Sequence, residues 1–280
     1  MSGPAPSRRR RRAALLIALL VTTTACGSRK IPALPSAGGS PFPDAAAAYT
    51  DATAQCRTIR TLSAELGLSG RAGGQKLRGH LLAGFATPGK VRLEAPAPFG
   101  RPIFTLAMHD DAATLVLNRE ERVLRDAKPA ELIEALTGVA LNPDELRAAV
   151  SGCGFGVEHV DGGQSYPGDW VSAESGPGRL WLRRINGAWR LVAAARDNLE
   201  VRYDEFASGR PAAVRLTATG SNANDTDLTL RLSQLEINIP LDAAVFEVEV
   251  PPDATPLTLD ELRRSGPLGG PGSEHDLPPL

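Results

Sequence analysis

Hydrophobic and polar residues alternate over most of the chain beyond residue 60. Leu62, Ala64, Leu66 and Leu68 share one face of LSAELGLSG, with Ser63, Glu65 and Gly67 on the other. KLRGHLLAGF repeats the pattern with Leu77, Gly79, Leu81, Ala83 and Phe85. A period of two marks a half-buried strand, and the intervening RAGG is a turn signal. KVRLEA, IFTLAMH, ATLVLN and ERVLRD follow as shorter strands with polar or Gly/Pro breaks. After residue 168 the alternation returns in DWVSAE, RLWLRRI, AWRLVAAAR, LEVRYDEF, AAVRLTATG and TDLTLRLSQLEINI. Asn186–Gly187 between two of these is a hairpin turn. In the last run Leu228, Leu230 and Leu232 alternate, then Leu235, Ile237 and Ile239. FEVEVP is expected to add a final edge strand.

Two stretches break this period. DAAAAYTDATAQCRTI reads as an entry helix, with Asp44 as N-cap after Pro43. In PAELIEALTGVALNPDELRAAVSG, residues 129–152, Leu132, Ile133 and Leu136 lie at helical spacing. Gly138 is a C-cap, Asn142-Pro143 with Glu145 restarts a helix, and Leu146 and Val150 continue the apolar face. The fold class is therefore mainly β (α+β): an antiparallel meander of about eleven strands with an N-terminal helix and a mid-chain helical hairpin. So many strands, each with one aliphatic face, must curl around something. Either they enclose a filled core, or they leave a cavity for an apolar ligand.

Composition sharpens this. Aromatics are only 5% of the chain, so the core is mainly aliphatic. The net charge of −1 argues against a nucleic-acid binder, which would show a clustered basic excess. The N-terminus is more specific. SRRRRR at 7–12, AALLIALLV at 13–21 and TTTAC ending at Cys26 have the layout of a secretory signal. The apolar run is shorter than the ~20 residues a membrane span needs. The cysteine after Ala25 resembles a bacterial lipobox, with Thr23 in place of the usual Leu. That resemblance implies a diacylglycerol on Cys26 and cleavage before it, tethering a domain that does not span the bilayer. Gly27, in place of an aspartate, favours outer-membrane delivery.

The expected layout is a signal peptide at 1–25, a Gly/Pro/Ser-rich stalk at 26–43, a folded domain at 44–250 and a loosely attached Pro/Gly-rich tail at 251–280. TLDELRRS is able to form a turn of helix within that tail. Two cysteines remain, Cys56 and Cys153. In an oxidising compartment they either pair or stay as two buried thiols. A bond would close a loop worth about 4–5 kcal/mol under the chain-entropy model.

Catalytic patterns are missing. His80, His109, His159 and His275 show no metal-ligand spacing, and no G-x-S-x-G elbow or phosphate loop occurs. His109-Asp110-Asp111 and the Asp225/Asp227 pair read as turn residues. The expectation is a protein that is not an enzyme and needs no metal or cofactor.

One short stretch stands apart. EAPAPFGRP places Phe99 between Pro98 and Gly100, where a strand has just ended. KVRLEAPAPFG, followed after several strands by ELIEALTGVALNPDELRAAVSG, resembles the LolB family of bacterial outer-membrane lipoproteins over roughly residues 44–250. The resemblance implies a half-open, eleven-stranded antiparallel barrel with helices plugging one side. It further implies an acceptor for lipoprotein acyl chains, supplied by a LolA-like periplasmic carrier and inserted into the outer membrane. The domain would face the periplasm as a monomer. Pro98, Phe99 and Gly100 would then form the protruding membrane or cargo contact; the other reading is that Phe99 caps the apolar interior. The chain departs from that family in SGCG at 151–154 and in its extra tail.

Alternation alone assigns Leu66, Leu68, Leu81, Phe85, Leu93, Leu106, Leu230 and Leu232 to a cavity lining. The competing function is a structural, or other-lipid-binding, envelope lipoprotein without transfer activity.

Overall fold

The computed structural model describes residues 33–36, 38–219 and 225–265. The signal peptide, Cys26 and residues 266–280 lie outside them, as do residues 26–32 and 37 of the stalk.

Chain order begins with β1 (Ser40–Pro41), α1 (Ala45–Arg57), β2 (Thr61–Ala72), β3 (Gln75–Ala86) and β4 (Lys90–Ala95). Next come β5 (Phe104–His109), β6 (Ala112–Leu117), β7 (Arg122–Ala127), α2 (Pro129–Thr137) and α3 (Pro143–Ser151). The second half holds β8 (Gly162–Tyr166), β9 (Trp170–Ser175), β10 (Gly178–Ile185), β11 (Ala188–Arg196), β12 (Leu199–Ala207), β13 (Arg210–Ala218) and β14 (Thr226–Ile237). A 3₁₀ turn at Ala243–Phe246, β15 (Thr255–Pro256) and α4 (Leu259–Ser265) complete it.

All fifteen strands join one sheet, ordered β1-β8-β9-β10-β11-β12-β13-β14-β2-β3-β4-β5-β6-β7-β15. The eleven-stranded half-open barrel is thus corrected to a fifteen-stranded open sheet that does not close. The helical hairpin separates β7 from β8 in sequence, and these two strands lie towards opposite edges. Sequential neighbours pair antiparallel because tight turns link them. Gly73–Gly74, Asn186–Gly187 and Ser208–Gly209 all hold positive φ at both positions, as the right-twisted hairpin turn requires. β14 closes the two halves together by pairing with β2, Leu230 opposite Leu68 and Leu232 opposite Leu66. Gly70, also on this seam, has no room for a side chain: a Cβ there would sit 2.0 Å from the Asp227 carbonyl oxygen.

FEVEVP is not a strand. Its slot beside β4 is already filled, with β3 on one side and β5 on the other. Asp242 instead caps a 3₁₀ turn through the Ala244 amide at 3.0 Å, and Phe246 is buried. The Arg92 guanidinium takes the free carbonyls of Val245 and Glu247, at 3.2 and 2.9 Å.

The tail from 251 to 265 is not loosely attached. Thr255 and Leu257 donate their amides to Glu121 and Val123 of the β7 edge, at 2.8 and 2.7 Å. α4 lies against α2, burying Leu262, and Arg122 pairs with Glu261 at 2.9 Å. The end of the stalk is likewise part of the fold: β1 pairs with β8, and the Phe42 ring meets Trp189 edge-on.

Candidate functional site

Helices α2 and α3 lie across the face of the sheet to which Leu66, Leu81, Phe85 and Leu106 point. Between them and β2–β5, β13 and β14 is a cavity of about 110 Å³. Seven of the eight residues assigned from alternation line it: Leu66, Leu68, Leu81, Phe85, Leu93, Leu106 and Leu230. Leu232 does not; it is half-buried against the core further along β14, towards the irregular pairing between Ser233 and Glu236. The helices supply Ile133, Leu136, Leu146 and Val150, and their connection supplies Val139 and Leu141, none of which strand alternation could assign. Their apolar periodicity was the available signal, but it carries no information about which strands the helices would cover.

No charged side chain lines this space. Its one hydroxyl, on Thr137, is turned back to the Ile133 carbonyl at 2.7 Å. The wall therefore offers an apolar guest burial without leaving a polar group unpaired.

α3 is fixed over the cavity by directed bonds. Asn142 Oδ1 accepts from the Glu145 amide at 2.9 Å, and Glu145 Oε2 accepts from the Asn142 amide at 3.0 Å. This reciprocal cap starts the helix where the sequence placed it. The other Glu145 oxygen bonds Arg196, whose guanidinium lies 4.7 Å over the Phe155 ring. That bond to Glu145 raises the Arg196 pKa. The buried Tyr203 hydroxyl donates to the Ala149 carbonyl at 2.8 Å and accepts from the Gly154 amide at 3.0 Å. Burial holds its phenol protonated well above the usual tyrosine range. Just past α3, Cys153 is joined to Cys56 of α1, with Cα atoms 5.7 Å apart.

The joint between α2 and α3 turns at Gly138, in the left-handed conformation at φ +74°. A Cβ there would come within 2.7 Å of Thr226 Oγ1, the atom that donates to the Thr137 carbonyl at 2.5 Å.

The loop bearing Phe99 leaves β4 just beyond Leu93 and enters β5 at Phe104, both cavity-lining residues. Its base is tied by the Ile103 amide to the Ala95 carbonyl at 2.8 Å and by Asn118 Nδ2 to the Pro102 carbonyl at 2.8 Å. Its tip is free: Phe99 is 94% exposed, and Gly100 beside it takes φ +81°. The ring does not cap the interior.

His109 Nδ1 lies 2.8 Å from Asp110 at the β5–β6 turn, and Arg215 holds Asp227 across β13 and β14 at 2.7 Å. Among the described residues no three His, Cys, Asp or Glu side chains gather as a metal site. No helix of the described residues is long and apolar enough to cross a membrane.

No family model and no curated sequence matches the chain. Among solved structures it is similar to a DUF1329 family protein from Desulfovibrio piger, at 15% identity and a TM-score of 0.48, covering 72% of this chain and 96% of that one. It is also similar to a LolA superfamily protein from Nitrosomonas europaea, at 11% identity and a TM-score of 0.46, covering 72% and 96%.

Proposed function

We propose that this chain is a lipid-anchored acceptor in the bacterial envelope that takes the acyl chains of lipoproteins into its cavity and helps insert them into the outer membrane. The observation that carries this is the cavity wall, apolar throughout except for one internally bonded hydroxyl. Each CH₂ moved from water into such a space gains about 0.8 kcal/mol, so cargo needs a continuous apolar route and no covalent chemistry. A LolA-like carrier would be the donor, and diacylglycerol on Cys26 the tether. Phe99 would enter the acyl region of the bilayer at the moment of release, where an exposed ring loses nothing by leaving water.

The space of about 110 Å³ is on the scale of engineered cavities that hold a benzene-sized guest. A full acyl chain therefore requires α2 to lift from the sheet. The modest volume also favours the second reading, a structural envelope lipoprotein whose core is simply filled.

Native mass spectrometry separates them, on residues 26–280 with Cys26→Ala purified from a bacterial periplasm. The expected result is co-purified acyl lipid or lipopeptide, lost in Leu81→Gln with Leu106→Gln but retained in Phe99→Glu. An empty protein that also refuses added lipopeptide overturns the acceptor reading.

A further inference from the structure

The β10–β11 hairpin ends in a concentration of arginine and tryptophan that the cavity does not use. Arg183 lies 5.1 Å over the Trp170 ring, and Arg184 lies 4.9 Å over the Trp189 ring. Arg183 and Arg190 are direct cross-strand partners. Like charges placed opposite each other on a sheet destabilise it. Among the described residues no carboxylate pairs with Arg183, Arg184 or Arg190; Asp169, in the adjoining turn, offers only its backbone carbonyl, to the Arg184 amide at 3.1 Å. Glu205 on β12 is taken by Arg231 at 3.1 Å. Successive residues of a strand face opposite ways, so Arg183 and Arg184 place charge on both sides of one rim. This local excess stands out in a chain whose net charge is −1.

The same rim is where the chain enters the sheet. β1 pairs with β8, and Phe42 touches Trp189. All pairings except that of β15 are antiparallel, so this hairpin and the loop of Phe99 lie at opposite ends of the strands.

We propose that this rim docks on the anionic phospholipid surface of the membrane that holds the anchor. The inference relies on the proposed function only in placing the protein at a membrane. Arginine guanidinium groups pair with phosphate oxygens through two parallel bonds. Tryptophan, apolar in body with one polar edge, settles at the headgroup level. The rim is a resting contact beside the tether, distinct from the release contact made by Phe99.

The test is flotation of residues 27–280, which carry no anchor but contain every element of the sheet, with vesicles of phosphatidylglycerol in phosphatidylcholine or of phosphatidylcholine alone. Binding is expected only with phosphatidylglycerol, falling with added salt. Arg→Gln at 183, 184 and 190 should weaken it about fivefold per residue replaced. Arg→Lys at the same positions, which keeps the charge but not the paired bonds, should bind more than Arg→Gln and less than the unaltered protein, and also controls for folding. Equal binding to both vesicle types, no binding at low salt, or full binding by the Arg→Gln variant would each overturn the proposal. Its failure leaves lipopeptide uptake by the cavity untouched, and an empty cavity leaves vesicle docking untouched.

Discussion

Helices α2 and α3 each hold nine residues and each opens on a proline, yet the fold secures them by different means. α3 is bonded at both ends: by its reciprocal cap and the Asp144 carboxylate on the Gly89 amide at one, by Tyr203 and the neighbouring disulfide at the other. α2 presents Leu132, Ile133 and Leu136 to the core and has one polar tie to the sheet, Thr226 to the Thr137 carbonyl. Directed bonds are lost outright when a helix moves, whereas apolar contact is non-directional and can be exchanged for contact with another apolar surface. Of the two, α2 is the helix that a guest can displace at little cost.

The largest expected effect breaks the α3 side. Cys56→Ser with Cys153→Ser removes a link between residues separated by 97 positions. Denaturant unfolding should show a loss of about 4–5 kcal/mol, and unchanged stability would mean that the remaining bonds alone hold α3. Next comes Ile133→Ala on α2, which should cost about 3 kcal/mol and enlarge the cavity. Uptake of an apolar fluorescent probe should rise with it, and a fall would show that the space does not admit guests from this side. The smallest effect should come from Asn142→Ala. Loss of the cap should cost about 1 kcal/mol in thermal melts, with probe uptake unaltered. If uptake rises there as well, the distinction between the helices is lost.

Much of the cavity was legible because β2, β3 and the first part of β14 have a period of two, and a buried face then fixes the register. The helical hairpin was legible for a different reason. Gly138, Asn142 and Pro143 are local signals whose chemistry does not depend on distant contacts. β8 escaped because GGQSY has no alternation; it is a strand only because β9 and β1 flank it. FEVEVP erred the other way, with a true alternation but no neighbouring strand left to pair. Leu232 faces the same way as Leu230, so its absence from the lining reflects where the helices end and not its own pattern. Leu257 and Leu262 looked like isolated residues in a loose tail, and only the exposed edge of β7 and the surface of α2 give them a place to be buried.

An open sheet has two edges, and here each is finished by a strand of only two residues, one of them proline: Ser40–Pro41 at one side and Thr255–Pro256 at the other. Proline has no amide hydrogen to give, and a two-residue strand is too short to template another. Two copies that meet thus present blunt margins, which disfavour joining sheet to sheet edge on. The protein can keep a curved, unclosed sheet without the self-association that such a shape invites.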